Sequence, residues 1–361
     1  VEEHGLAYHT ADGRPYWDES ACYQFTAFEI NSLAHATNTL HRMCLDLVQE
    51  VIAERLFGLF LIPPELEAFV VRSWEEREPS VYGRFDLTYD GVGAPQLLEY
   101  NADTPIALLE AAITQAVWLK DTDERAEQFN TIDERLIEVW SAFRERELGP
   151  VHFAALSDNI EEYITTEYLR DAAVRAGLDT IYLDIREVGW DHARRLFVDA
   201  VGYPIQRLFK LYPWDLMAKE DFARHLPFAP TRWVEPAWKT ILDCKSILPL
   251  LWERHPDCPF LPAASFDPLS GGSWVRKPIR GREGANIQVV IDGKLVLETD
   301  GPYVGGPYVY QTLAASKTHD GKYPVIGSWV VNGVSCGIGI REDDGLVTGE
   351  TCRFVPHVMV G

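Results

Sequence analysis

A mixed α/β protein of about two domains is what the sequence predicts, on three observations. The chain has 361 residues, and domains run to roughly 100–200 residues each. Long helical periodicity fills its first part, a strand–helix–strand alternation its middle, and short β runs its last third. With 47% hydrophobic and 24% charged residues, it has the composition of a globular protein that buries a large core.

In order along the chain, Glu19 to Leu56 places Phe25, Phe28, Leu33, Leu40, Met43, Leu47 and Val51 at spacings of threes, fours and sevens, the period of one long amphipathic helix. Pro63 and Pro64 open a second helix through Trp74, because the first helical turn tolerates a missing N–H. The alternating runs RFDLTYDG and PQLLEYN, joined through Asp90-Gly91 and Gly93, predict a β-hairpin. Helical spacing returns from Thr104 to Lys120, and a charged helix from Asp121 to Leu148 stops at Gly149-Pro150.

Beyond that break, VHFAAL, the helix Glu161–Ala176 ended by Gly177, and TIYLD form a β-α-β unit, which predicts a parallel sheet of the Rossmann type. Strands at Phe197–Asp199 and Leu208–Leu211 extend it. No GxGxxG turn accompanies it, so a dinucleotide pocket is not indicated. A helix over ILDCKSILPLLWERH, a loop from Pro256 to Ser273, and strands in SWVRKPI, NIQVVID, KLVLET, YVYQTL, VIGSWVV, SCGIGIR and near Arg353 complete the chain.

Charge and cysteine usage narrow the function. Lys and Arg number 33 against 55 Asp and Glu, a net −22, so most of the surface repels polyanions and a nucleic-acid partner is not expected. Cys22, Cys44, Cys244, Cys258, Cys336 and Cys352 form no CxxC pair, which argues against both a disulfide framework and a structural zinc. The N-terminus VEEHGLAYHT has no apolar core of a leader, and no stretch reaches the roughly 18–20 apolar residues that span a bilayer. A cytoplasmic protein with no membrane partner is the expectation.

Three groups of residues could carry chemistry. On paired strands, Arg84, Asp86, Glu99 and Asn101 converge, and Asp86, Glu99 and Asn101 offer the oxygens that Mg2+ prefers. The same spacing also fits a solvent-facing polar hairpin. Lys245, and Lys277 leading into Gly281 and Gly284, suit a phosphate covered by a glycine-bearing loop, although an exposed strand and ordinary turn fit too, and no Walker A motif is present. Glu161 and Glu162 sit where carboxylates stabilise a helix dipole, and also where open α/β sheets bind ligands. HExxH is absent.

Taken together, RFDLTYDG with PQLLEYNADTP, DCKSILPLLWERHP, VRKPIRGREGANI, PVIGSWVVNG, CGIGIRED and CRFVPH resemble the glutathionylspermidine synthetase family of ATP-grasp enzymes and its short homologues, described as acid–amine ligases. The likeness runs from about Tyr16 to His357. It implies a circularly permuted ATP-grasp fold with an inserted Rossmann-like pre-ATP-grasp domain, divided as 1–110 (helices and metal-binding hairpin), 111–228 (Rossmann-like) and 229–361 (nucleotide-binding region). It implies ATP and Mg2+ as cofactors, Asp86, Glu99 and Asn101 as metal ligands, and Arg84 as the arginine on the transferred phosphoryl group. By the same resemblance Lys245, Lys277, Tyr310, Gln311 and Arg341 bind ATP, and Glu161, Glu162, Arg282 and Thr104 bind substrate.

The implied reaction is ATP-dependent amide formation through an acyl phosphate, between a glutathione-like or peptide acid and a polyamine-like amine. A catalytically silent nucleotide- or peptide-binding homologue is the alternative, and a hydrolase using Asp86 and Glu99 a third. The family's amidase domain is not expected, since the chain starts close to the synthetase motifs. Ile106 and Ala107 stand where the family offers hydroxyls, which puts glutathione itself in question. Oligomeric state stays open.

Overall fold

The structure is a computed structural model that describes residues 10–11, 14–123, 125–146, 149–314, 316–349 and 352–361. The acidic start of the chain at residues 1–9, and the end of the helix expected to reach Leu148, lie outside the described residues.

The long first helix spans Ala27–Ala53, beginning later than its periodicity predicts. Thr26 explains the start: its hydroxyl accepts from the Glu29 N–H while the Glu29 carboxylate accepts from the Thr26 N–H at 2.7 Å, a capping box. Tyr23–Thr26 is a strand instead, paired in parallel with His357–Val360 near the chain's end. Leu33, Leu40, Cys44 and Val51 on the helix are fully buried, whereas Phe28, which fits the helical spacing, is 79% exposed. The helix Pro64–Glu75 follows, with Pro63 as its N-cap.

Three larger sheets organise the rest. One antiparallel sheet has the order Arg353–Val355, Val334–Asp343, Tyr323–Val331, Tyr82–Thr88, Gln96–Asn101, so the predicted hairpin forms its edge. A second runs Ala264–Ser265, Tyr308–Thr312, Trp274–Pro278, Gln288–Ile291, Lys294–Glu298. The third is parallel, in the order Arg232–Val234, Arg207–Leu211, Val151–Ala155, Thr180–Asp184, with the helix Ile160–Arg175 connecting Val151–Ala155 to Thr180–Asp184.

Several elements differ from their prediction. Leu196–Val198 does not join the parallel sheet; it pairs with Gly189–Asp191 as a separate hairpin, and Arg232–Val234 joins instead. Helix after the first hairpin begins past Ala107, whose φ of 70° is left-handed, and includes a π turn at Glu110–Thr114 before Gln115–Thr122. The charged helix covers Ile132–Arg146 only. The helix expected over ILDCKSILPLLWERH is split into Lys239–Leu242 and Ile247–Arg254.

Buried charge pairs tie the layers together. Glu235, fully buried, accepts from the Val81 and Tyr82 N–H groups at 2.9 and 3.0 Å, and Lys239 donates to it at 2.9 Å. Lys210 donates to Asp103 at 2.6 Å, and the same carboxylate accepts from the Trp214 N–H at 2.8 Å, which joins the end of the hairpin to the parallel sheet. Both pairs depend on their mutual neutralisation, because a lone charge in such a place is costly. Lys239→Met is expected to cost about 3–5 kcal/mol in urea denaturation, with Glu235→Gln/Lys239→Met regaining a large part of it. A single-variant loss below about 1 kcal/mol would contradict this role.

Candidate active site

The hairpin's register sets one wall of a cleft. Arg84 faces Asn101 and Asp86 faces Glu99 across the two strands, so all four side chains meet on one side. Arg84 grips Asp86 with two bonds, Nε to Oδ1 at 2.7 Å and Nη2 to Oδ2 at 3.2 Å, and its Nη1 donates to the Ile106 carbonyl at 2.7 Å. Arg341 donates to Asp86 Oδ2 at 2.6 Å. Asn101 Nδ2 bridges Asp86 and Glu99, at 3.1 and 3.3 Å.

Gly327 makes room for this cluster. It lies opposite Asp86 on the neighbouring strand, and a Cβ there would stand 2.9 Å from Arg84 Cδ.

The facing wall carries ammonium groups from the other half of the chain. Lys245 Nζ lies 3.0 Å from Glu99 Oε2 and donates to the Gly281 carbonyl at 2.7 Å. Lys277 reaches across from its own sheet to the hairpin, donating to the Leu98 carbonyl at 2.9 Å and to Gln311 Oε1 at 2.8 Å. Burial raises the Glu99 carboxyl, but Lys245 and then Lys277 more than offset it and hold it down at about 2. Burial pushes the Lys277 ammonium down to about 8, with Glu99 opposing and Lys245 adding to the shift. In a chain of net charge −22, this gathering of cations is the local feature suited to phosphates.

At the other end of the cleft the balance is acidic. Asn159 caps the helix Ile160–Arg175, and the Glu162 carboxylate accepts from Asn159 Nδ2 at 3.1 Å and from the Leu156 N–H at 3.4 Å. Burial pushes Glu162 up to about 7, the Leu156 N–H opposing and the negative charges of Asp158, Glu283 and Glu161 adding to it. Opposite stands Arg282, paired with Asp215 and 3.8 Å from Asp243. Its loop turns at Gly284, φ 69°, where a Cβ would meet Val347 at 2.7 Å and the Thr348 carbonyl at 3.0 Å.

One cleft of about 310 Å3 brings together Arg84, Asp86, Glu99, Asn101, Thr104, Glu161, Glu162, Lys245, Lys277, Arg282, Gln311 and Arg341. Tyr310 is the expected site residue that the cleft does not include. Strand alternation points Gln311 inward and leaves Tyr310 on the other face, where its ring meets Trp274 edge-on at 5.5 Å. Sequence reasoning missed Asp215, Asp243 and Arg280. Asp243 accepts from the Ala102 and Asp103 N–H groups at 3.2 and 3.3 Å, fixing the backbone just after Asn101. Arg280 donates to the Phe60 carbonyl at 2.6 Å and to Thr240 at 3.2 Å. The only local signal was the spacing of Asp243 two residues before Lys245.

The donor set fits a hard divalent cation. Two carboxylates on adjacent strands, with an amide side chain beside them whose oxygen becomes available when the amide turns over, are the types that hold Mg2+ when substrate phosphates complete its shell. Among the described residues no group of three or more His, Cys, Asp or Glu forms a metal cage, so an ion here would depend on such outside oxygens. No helix among them is long and apolar enough to cross a membrane.

Comparison with known proteins follows the same direction. Residues 1–360 match the family model described as glutathionylspermidine synthase preATP-grasp. A Haemophilus influenzae protein named "Putative acid--amine ligase" is 39% identical, covering 97% of this chain and 93% of its own. The bifunctional glutathionylspermidine synthetase/amidase of Escherichia coli is 28% identical over 94% of this chain, which spans only 59% of that longer protein. Among solved structures, the apo form of a glutathione synthetase-like effector, GSS30, from Globodera pallida superposes with a TM-score of 0.64 at 9% identity, covering 99% of this chain and 95% of that one. The fold is therefore glutathione synthetase-like.

Gly327→Ala is expected to push Arg84 off Asp86 and to weaken Mg-ATP binding roughly 10-fold or more, the scale of one charge-assisted hydrogen bond. Calorimetry measures it, with the urea midpoint as the control for folding. Unaltered affinity would show that the Arg84–Asp86 geometry is irrelevant to nucleotide.

Proposed function

The chain belongs to the glutathionylspermidine synthase preATP-grasp family, and from that premise we propose that it is an ATP-dependent carboxylate–amine ligase. The observation that carries this reading is the convergence of Asp86 and Glu99 from the front half with Lys245 and Lys277 from the back half on one cleft. We further propose a circularly permuted ATP-grasp unit built by residues 1–110 and 229–361 around a Rossmann-like domain at 111–228, with Arg232–Val234 returning to its parallel sheet.

A carboxylate is a poor electrophile, so it needs a leaving group before an amine can displace oxygen. In the proposed sequence a carboxylate oxygen of the acid attacks the γ-phosphorus of ATP, ADP departs, and an acyl phosphate forms. The amine then attacks the acyl carbon, phosphate departs, and the amine's proton is lost as the amide forms. Lys245 and Lys277 neutralise the nucleotide's phosphates. Arg84 and Arg341, which line the cleft and both hold Asp86, stabilise charge on the phosphoryl group in flight. Mg2+ held by Asp86, Glu99 and Asn101 would shield the phosphate oxygens.

Arg282 offers a guanidinium to the acid's carboxylate once it leaves Asp215, and Glu161 and Glu162 offer carboxylates to an ammonium group. Gln311, on the strand that pairs with the one bearing Lys277, accepts from the Lys277 ammonium at 2.8 Å and would face the nucleotide. Thr104 and Ile106 line the wall beside Arg84. An apolar Ile106 in that wall favours an acid other than glutathione, with a polyamine-like amine as partner.

The test is an ADP-release screen with Mg-ATP, in which glutathione, short peptides and amino acids are crossed with spermidine, other polyamines and amino acids. ADP release that requires both an acid and an amine is the expected result; stoichiometric nucleotide binding without release across the panel would contradict a ligase. Arg84→Ala is expected to lower kcat by roughly 100-fold to 1000-fold, about 2.7–4 kcal/mol, and Asp86→Ala or Glu99→Ala to abolish turnover in a folded protein. Lys277→Ala is expected to raise the Kd for ATP, and equal affinity in calorimetry would remove that lysine from the nucleotide site.

A further inference from the structure

Behind the hairpin, on the side away from the cleft, lies a second cavity of about 630 Å3 that shares no residue with the first. The long helix, the end of the helix Pro64–Glu75 and the turn at Asn332–Gly333 line it. Two indoles form its wall. Trp74 and Trp238 meet edge-to-face with ring centres 5.2 Å apart, and their N–H groups are already committed, to Gln49 at 2.8 Å and to the Glu78 carbonyl at 3.3 Å.

Glu78 lines the same cavity, and its carboxylate Oε2 is buried and has no hydrogen-bond partner among the described residues. A buried carboxylate oxygen without a donor is costly, and such groups are regularly satisfied by something that binds. Burial, then the charge of Glu76, pushes this carboxyl up to about 7, with Arg72 and Arg232 pulling the other way. Arg72 directs Nη1 to the Pro227 carbonyl at 2.6 Å. His41, also in the wall, is held neutral by burial, its imidazolium pushed down to about 4. It supplies no competing positive charge.

We propose that this cavity is a binding site for a primary alkylammonium ion, the ammonium donating to Glu78 and the alkyl chain lying against Trp74 and Trp238. An anion beside aromatic rings in one open cavity answers both halves of such a ligand, through charge-assisted hydrogen bonding and through cation–π and apolar contact. Net charge −22 favours the approach of cations over anions. The proposal stands apart from the ligase reading, because neither Glu78 nor either indole touches the cleft.

The experiment titrates butylammonium chloride into Glu161→Gln/Glu162→Gln protein, in which the cleft's own carboxylates near an amine are silenced, and reads binding by calorimetry at pH 8. Saturable one-to-one binding is expected, weakened at least tenfold by the additional change Glu78→Gln, with 1-butanol giving no saturation. Affinity is also expected to fall from pH 8 to pH 6, since a proton then competes with the ammonium for Glu78 while butylammonium keeps its charge. The other charged groups facing Glu78 are Glu75, Glu76, Arg72, Arg77 and Arg232. No saturable binding at pH 8, equal affinity after Glu78→Gln, or equal affinity at both pH values would each overturn the proposal. Should Glu78→Gln fail to fold, the pH series on the Glu78-bearing protein decides it.

Discussion

Opposite charges drawn from two distant stretches of the chain, and held within hydrogen-bond reach of one another, are the constraint on which this site depends. Glu99 on the hairpin and Lys245, far along the chain, lie 3.0 Å apart, while Lys277 spans the gap between two sheets to reach the Leu98 carbonyl and Gln311. Each charge is tolerable there because the other is present. The charges in the cleft neutralise one another, and under the proposed function a triphosphate with a divalent cation would offer each of these groups a partner of the right sign. Such an arrangement is prepared in advance and needs little reorganisation when phosphate charge develops.

The supporting shell explains why the groups stay aimed. Asp86 is held from two sides by Arg84 and Arg341, and Gly327 leaves space for Arg84 to lie flat across its strand. Asp243 fixes the backbone after Asn101, and the Asp103–Lys210 and Glu235–Lys239 pairs anchor the same hairpin to the layers behind it. These contacts join segments that are remote in sequence, so the site is as rigid as the packing between sheets.

Much of this was legible in the chain, and the limits are physical. The hairpin was readable because alternation and Asp90-Gly91 are local signals, and the order of Arg84, Asp86, Glu99 and Asn101 on it placed four polar groups on one face. Family resemblance then brought Lys245, Lys277, Arg282, Gln311 and Arg341 to the same place, and all of them line the cleft. Tyr310 lies off the cleft, since strand alternation lets only one of two neighbours point inward. The late start of the first helix was hidden because Phe25 and Phe28 fit its period, while the strand Tyr23–Thr26 is decided by the distant segment His357–Val360. Asp243 escaped notice because its partners are backbone N–H groups, which leave no trace in sequence. Leu196–Val198 carries a strand pattern, yet nothing in three residues says which sheet they join.

Coupling between the two halves of the site is open to direct measurement. A double-mutant cycle on Mg-ATP affinity, comparing Glu99→Gln, Lys277→Met and the pair of changes together by calorimetry, isolates the interaction between them. If both side chains grip the same triphosphate, the combined loss will depart from the sum of the single losses by about 1 kcal/mol or more. Losses that add within about 0.5 kcal/mol, the behaviour of independent sites, would contradict the account.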